Sequence, residues 1–194
     1  MKATQFRRAV PEDCPAILRL QSANYIANLS EEHRKEGFLS AEFTPKQVAA
    51  MAEDLGTMIA VVENKVAGFL CAFRREFNTG SPVIAKMLDS YDLVKFEGKP
   101  LSAYNNYIYG PVCIDREYRR KGLLRGLYEA QRRDLAGRFE VGVAFVSRDN
   151  PHSLHAHVAG LGMTEVGEFE VKGNIYVILA FRVPENQSMS RFPS

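Results

Sequence analysis

The stretch from residue 107 to residue 137 constrains the fold of this chain more than any other part of the sequence. Residues 107–114 alternate aromatic, β-branched and small side chains, which is typical of a buried strand. Leucine and tyrosine then recur at helical spacing between residues 123 and 135, with charged residues between them. The joint, residues 119–122, is basic and ends in Gly122. The sequence therefore predicts a strand that runs through a short turn directly into a helix N-terminus.

The basic turn predicts a phosphate site. The first N–H groups of a helix have no partner within it, and the helix dipole is positive there. A pyrophosphate gains hydrogen bonds and field energy together at such a point, and Gly122 lets backbone and ligand approach closely. Seven basic and two acidic residues lie between Arg116 and Arg133, so this stretch carries +5 and the rest of the chain −3. The positive charge is concentrated at the turn.

The composition predicts one cytosolic domain. A length of 194 residues with 46% hydrophobic residues supports a single core, which we expect over residues 1–183, followed by a polar tail at 184–194. A net charge of +2 argues against a dedicated nucleic-acid binder. Three widely spaced cysteines without a CxxC pair suit free thiols in a reducing compartment. We find no signal peptide and no apolar run long enough to span a bilayer, so no membrane partner is expected.

Several further elements are predicted from local signals. A strand at 5–10 precedes helices that begin near Pro11, Ser30 and Thr44, the last with a capping box. Residues 57–62 and 65–73 read as a hairpin, residues 141–147 as a buried strand, and residues 164–171 and 174–183 as a second hairpin. The interval 74–106 shows only one or two helical turns at 83–88, so we expect a long, functional insertion or loop there.

A second motif begins at Asn150, where the sequence Asn-Pro-His-Ser opens a short helix that ends in Gly-Leu-Gly-Met at residues 160–163. Together with the order of elements and the turn Arg119, Gly122, Leu124, it resembles the GNAT superfamily of N-acetyltransferases. The resemblance covers residues 5–183. It implies an α/β (α+β) fold with a mixed, mostly antiparallel central sheet of about seven strands flanked by about four helices.

The resemblance also implies a site for acetyl-CoA as cosubstrate. The strand would pair with the pantetheine arm, the turn and first helical residues would wrap the pyrophosphate, and Asn150 would meet the lower pantetheine or the adenosine. Apart from Asn150, the cofactor-binding residues implied are Val112, Cys113, Ile114, Arg119, Arg120, Lys121, Gly122, Leu123, Leu124 and Arg125.

Three departures from the family pattern bear on the chemistry. Leu124 stands where the phosphate signature has a small residue, so its side chain points into the sheet or the grip on phosphate is looser. His157 stands where many members have the tyrosine that protonates the leaving thiolate, and residues 158–162 are one residue longer than usual. Residues 141–147 contain no carboxylate, whereas many members carry a glutamate base on that strand.

Direct acyl transfer to an amine needs positioning of the reactants and stabilisation of the oxyanion. His157 is the catalytic residue that we predict, as the acid, although a packed histidine is the competing interpretation. Tyr104, Tyr107 and Tyr109 are predicted on the substrate side, or else as core residues. Three histidines at 152, 155 and 157 lack the further ligands of a zinc site, so no metal is expected.

Three functions are compatible with the sequence. The first is acetyl transfer from acetyl-CoA to an amine of a small molecule or protein, by direct attack in a ternary complex. The second is an acyl-CoA-binding sensor without turnover, which the missing carboxylate and Leu124 would explain. The third is an RNA-binding module that uses the basic stretch 116–133, although clustered aromatic platforms are lacking. A cytoplasmic monomer or homodimer is expected.

Overall fold

The structure is a computed structural model that describes residues 4–40, 42–77 and 80–185. Its centre is a seven-stranded sheet in the order β1-β2-β3-β6-β7-β9-β8. The strands are β1 (Thr4–Arg8), β2 (Thr57–Val62), β3 (Lys65–Arg74), β6 (Asn106–Ile114), β7 (Val141–Ser147), β8 (Thr164–Val171) and β9 (Asn174–Arg182), and a separate two-stranded hairpin contains β4 (Lys95–Phe96) and β5 (Lys99–Pro100). Among the strands of this sheet in the described residues, only β6 and β7 pair in parallel, so the predicted mixed, mostly antiparallel sheet is confirmed.

The described residues contain six α-helices. They are α1 (Cys14–Asn24), α2 (Glu31–Arg34), α3 (Pro45–Asp54), α4 (Pro82–Asp89), α5 (Leu123–Asp134) and α6 (Pro151–His155). The predicted capping box begins α3: the Thr44 hydroxyl accepts from the Gln47 N–H, and the Gln47 side chain accepts from the Thr44 N–H. Two helices beyond the expected four are short, with four residues in α2 and five in α6.

The core lies on both sides of the sheet. Buried residues of α1, α3 and α4 pack against one face, and those of α5 pack against the other. Alternation along the strands places Ile59 on the first face and Ala60 on the second. Within the described residues, no helix is both long and apolar enough to cross a membrane.

The interval 74–106 is more regular than the sequence indicates. It contains α4, the small β4–β5 hairpin and a 3₁₀ turn at Leu101–Ala103, and it buries Ile84, Met87 and Leu101 in the core. The helical turns predicted at 83–88 are present as α4. The expectation of a loop is wrong for residues 95–103, because the hairpin and the 3₁₀ turn there are stabilised by tertiary burial rather than by strong local signals. The predicted polar tail lies outside the described residues from position 186 onward.

The parallel pairing of β6 and β7 is short, and this opens the sheet. The two strands are in register only from Asn106 to Ile108 on β6, opposite Val141 to Val143 on β7. Just beyond, the pairing of β6 with β3 shifts register between Leu70 and Ala72, and Gly110 has a φ of +105°. This bulge turns β6 away from β7. The two strands therefore part in the middle of the sheet.

Candidate functional site

A long groove of about 350 Å³ begins where β6 leaves β7 and runs to the N-terminus of α5. Its floor is the end of β6. One wall is the segment after α1, residues 25–40, which includes α2 and is called the covering loop below. The other wall is formed by α6 and the turn that follows it. The residues along the groove are Asn24, Glu36, Gly37, Phe38, Leu39, Val112, Cys113, Ile114, Tyr118, Arg119, Arg120, Gly122, Leu123, Leu124, Arg125, His152, Ser153, Ala156, His157, Gly160 and Leu161.

The turn before α5 exposes backbone amides to the groove. Arg120 has a φ of +60° and Gly122 a φ of +82°, so two left-handed residues occur within three positions. Such a turn directs successive N–H groups toward one point and forms an anion-binding concavity. A Cβ atom at Gly122 would meet no other atom within 4 Å, because the space in front of this residue is open. The sequence prediction of an accessible helix N-terminus is therefore met in the fold.

The first residues of α5 divide between core and groove. Leu123 is buried in the core and reaches the groove only from below, whereas Leu124 is half-buried and has no place in the core, and both residues line the groove. The sequence analysis left open whether the Leu124 side chain points into the sheet or loosens the grip on phosphate. It does not point into the sheet. Arg125 donates a hydrogen bond to the carbonyl of Gly160 and so ties α5 to the turn after α6.

Arg119 holds the covering loop in place. Its guanidinium donates to the carbonyl of Ile114 at 3.2 Å, to the carbonyl of Glu36 at 2.9 Å and to Oδ1 of Asn24 at 2.7 Å. Burial lowers the pKa of this guanidinium. The side chain is thus occupied by protein acceptors, and the backbone of the turn is the part left to meet a ligand. Arg116 pairs with the Glu36 carboxylate at 3.1 Å, which neutralises a further charge of the basic stretch.

The end of β6 lines the groove on the side away from β3. Val112, Cys113 and Ile114 pair with β3 through Leu70, Phe69 and Gly68, while the register with β7 has already ended. The thiol of Cys113 is buried, with its pKa raised by burial to about 12, and it donates to the carbonyl of Leu20. Cys113 therefore contributes shape and backbone, not a reactive thiolate.

A small cavity of about 110 Å³ lies on the opposite side of the opening between β6 and β7. It shares Phe38, Leu39, Val112, Ser153 and His157 with the long groove. Its other lining residues are Ser40, Phe43, Phe73, Ser81, Ile84, Ile108, Tyr109, Gly110, Pro111, Ala144, Phe145, Val146, Ser147 and Asn150. The groove and the cavity meet at these shared residues.

His157 stands where the two spaces meet and is 97% buried. Its Nδ1 lies 2.7 Å from the carbonyl oxygen of Ser153, and its Nε2 lies 3.4 Å from the hydroxyl of Tyr109. Burial lowers the pKa of His157, so the ring is neutral near pH 7. Because a carbonyl only accepts, the proton of the neutral ring is on Nδ1, and Nε2 carries the lone pair.

Residues Ala156–Gly160 form a wide, π-helical turn directly after α6. Beyond this turn, the N–H of Met163 donates to the carbonyl of His157. Turns of the π type are rare and are frequent at functional sites. Here the turn orients the buried imidazole toward β6.

Of the three tyrosines predicted on the substrate side, the structure brings only Tyr109 to the site. Tyr109 lines the small cavity, and burial raises the pKa of its hydroxyl. Tyr104 donates to the carbonyl of Phe96 at 2.8 Å, and Tyr107 donates to Oε1 of Gln131 at 3.1 Å. Neither of these two lines the groove or the cavity, so both serve the core.

Asn150 lines the small cavity rather than the groove. Its Oδ1 accepts from the N–H of Ser153 at 3.3 Å and caps α6, and its Nδ2 donates to the carbonyl of Phe38 at 3.0 Å. The side chain therefore supports the covering loop from a second direction. Both hydrogen bonds are made within the protein, and the predicted contact of Asn150 with the coenzyme stays a prediction.

The sequence did not single out Phe38, Phe43 or Phe145, which form much of the cavity wall. Gln21, buried in α1, fixes Phe43 by a pair of hydrogen bonds to its backbone N–H and carbonyl, at 3.0 and 2.9 Å. The position of Gln21 on the apolar face of α1 was the one sequence signal that could have indicated this contact. Across the described ranges 4–40, 42–77 and 80–185, no group of three His, Cys, Asp or Glu side chains is arranged to hold a metal ion.

Comparison with protein-family models gives no match, and comparison with curated proteins gives none. Solved structures do match over nearly the whole chain. The ribosomal-protein-S18-alanine N-acetyltransferase of Escherichia coli superposes with a TM-score of 0.62 at 14% identity, covering 98% of this chain and 100% of that one. A GNAT-family acetyltransferase of Streptococcus agalactiae gives 0.61 at 16%, covering 94% and 96%. The Salmonella typhimurium protein yncA, assigned as an acetyltransferase and solved with its cofactor acetyl-CoA, gives 0.59 at 17%, covering 98% and 99%.

Proposed function

Since the chain has the fold of the GNAT N-acetyltransferases, we propose that it transfers an acetyl group from acetyl-CoA to an amine acceptor. The observation that carries the proposal is the continuous path from the amide-lined turn at Gly122, along the free side of β6, to His157, where a second cavity begins. One space suits a long anionic coenzyme, and the other suits an acceptor. Direct transfer requires two such spaces that meet at one point.

The residues along the groove suit the parts of acetyl-CoA in order. The turn at residues 119–122 offers backbone N–H groups to the pyrophosphate at the positive end of α5. Val112, Cys113 and Ile114 offer the side of β6 that β7 has left, where an extended pantetheine arm can pair with the backbone. Leu124 adds apolar surface beside the turn.

His157 is placed to move the proton of the reaction. In the transfer, the amine nitrogen forms a bond to the acetyl carbon, the carbon–sulfur bond breaks, and one proton passes from the nitrogen to the thiolate. Neutral His157 has its lone pair on Nε2, which faces the Tyr109 hydroxyl, so the proton of the amine reaches it through that hydroxyl and is then returned to the sulfur. His157 thereby acts first as the base that accepts the proton of the amine and then as the acid that protonates the thiolate.

A thermal-shift titration with acetyl-CoA, followed by an assay of CoA thiol release with a panel of amines, tests this function. Binding to the folded chain should raise the melting temperature in proportion to the logarithm of ligand concentration above Kd. An unchanged melting temperature at millimolar acetyl-CoA and CoA refutes the proposal. A raised melting temperature without thiol release from any amine indicates the acyl-CoA-binding sensor instead.

A further inference from the structure

The small cavity contains no charged side chain among the described residues that line it. Its polar groups are the Tyr109 hydroxyl, the amide of Asn150, the imidazole of His157 and four serines, and the rest of the wall is aromatic or aliphatic. The neighbouring groove, in contrast, carries three arginines.

This difference in charge suits the groove to an anionic coenzyme and the cavity to an uncharged group. A polyamine, an aminoglycoside or an acidic amino acid carries a second charge that would have to leave water when it enters the cavity. Without an opposite charge in the wall, that loss of hydration is not compensated. An amine whose remaining part is apolar meets no such cost and gains from burial.

The volume limits the size of the apolar part. A cavity of about 110 Å³ is somewhat smaller than the ~150 Å³ apolar cavities that take up benzene in proteins. The walls come from the covering loop, β3, α4, β6, β7 and the segment from Asn150 to His157, and the space is open on one side. A single ring or a branched alkyl group already takes up such a volume, so a peptide acceptor would have to place the residues that follow its first outside the cavity.

We propose that the acceptor is a small primary amine with a single uncharged apolar substituent, such as an arylalkylamine or a branched alkylamine, and that this substituent occupies the small cavity. The inference rests on the proposed acetyl transfer. The neutral cavity also disfavours the ammonium form of a bound amine, so the nucleophile next to His157 is the free base.

Steady-state thiol release with 2-phenylethylamine, 3-methylbutylamine, 1,5-diaminopentane, ethanolamine and a tripeptide with a leucine N-terminus tests the proposal. The two apolar amines should exceed the other three in kcat/KM by about tenfold or more, because a few methylene groups in an apolar pocket account for that much. Comparable or higher values for the diamine, ethanolamine or the tripeptide overturn it. Titration of each amine into the CoA-loaded protein by calorimetry gives a second readout. If acetyl-CoA binds but no amine turns over, the proposed function fails, while binding of 2-phenylethylamine in preference to the diamine still decides the occupant of the cavity.

A substitution pair tests the charge argument. Ser40 is an exposed residue on the cavity rim, so Ser40→Asp and Ser40→Asn differ by one charge at nearly constant shape. The aspartate should raise the kcat/KM ratio of 1,5-diaminopentane to 2-phenylethylamine about threefold or more relative to the asparagine, since an exposed ion pair contributes up to about 1 kcal/mol. If this kcat/KM ratio is equal in the two variants, the cavity does not select its ligand by charge.

A donor series excludes the other occupant that the cavity could take, a longer acyl chain. Acetyl-, butyryl- and hexanoyl-CoA are compared with 2-phenylethylamine as acceptor. If the amine fills the cavity, kcat/KM falls as the acyl chain lengthens. A preference for hexanoyl-CoA overturns the assignment of the cavity to the acceptor.

Discussion

The hydroxyl of Tyr109 lies 3.4 Å from Nε2 of His157, and both side chains are almost completely buried. One comes from the middle strand of the sheet and the other from the turn after α6, so the pair spans the opening between β6 and β7. The lone pair of the neutral imidazole faces the hydroxyl. This contact fixes the ring at the point where groove and cavity meet.

The first prediction concerns the pH dependence of activity. Burial lowers the pKa of His157 from its usual value of 6.5, so kcat/KM should fall with decreasing pH through a limb centred below 6.5, where the imidazole becomes protonated. His157→Gln should lose about a hundredfold in kcat and lack this limb. Profiles of kcat/KM against pH for both proteins check it, and an unaltered acid limb in the variant contradicts the role.

The second prediction concerns stability at low pH. As pH falls below 6.5, the unfolded chain takes up a proton on this imidazole before the folded chain does, so the unfolding free energy decreases by up to about 1.4 kcal/mol per pH unit in that window. His157→Gln should lose less stability than the wild type between pH 7.5 and 5.5, measured by urea unfolding. His155→Gln, which changes an exposed histidine at the end of α6, controls for loss of an imidazole.

The third prediction uses two glycines in the same conformation. Gly122 and Gly173 both have a φ of +82°, and a Cβ at either would meet no atom within 4 Å. Leucine at either position should reduce the unfolding free energy by about 1–2 kcal/mol because of the left-handed backbone. Only Gly122→Leu should also weaken acetyl-CoA binding, measured by calorimetry, since its side chain enters the space before the turn. Equal affinities in the two variants would argue against a phosphate site there.

The fourth prediction distinguishes the geometry of Arg119 from its charge. Lysine keeps the positive charge but cannot reach the three acceptors that the guanidinium bridges. Arg119→Lys and Arg119→Met should therefore both destabilise the protein by about 2 kcal/mol or more and speed hydrogen exchange of amides in residues 25–40. Full recovery of acetyl-CoA affinity by lysine alone would instead mean that the charge meets the phosphates.

Local signals predicted most of the fold. The capping box at Thr44 and the two hairpins depend on residues within a few positions of each other, and the structure contains all three. The elements between residues 82 and 103 were underestimated because burial against the sheet, which involves distant residues, stabilises them.

The site was predicted in outline and less well in its side chains. The groove begins at the predicted turn, but Arg119 and Asn150 bind residues 83 and 112 positions away instead of facing open space, and Asn150 lines the small cavity. Spacing within a motif carries no information about a loop that folds over it from elsewhere in the chain. Tyr104 and Tyr107 went to the core for the same reason, since the partners of their hydroxyls are set by tertiary packing.

Phe38 and Leu39 form a partition with a ligand space on either side, and Arg119 and Asn150 fasten it from opposite directions. Two ligands that contact the same partition from opposite sides are coupled through it, and the free energy of that coupling is reciprocal. We expect ordered addition, with the coenzyme first and the amine second. Dead-end inhibition by an unreactive acceptor analogue would then be uncompetitive toward acetyl-CoA. The loop between the two spaces would thus determine the order in which the substrates bind.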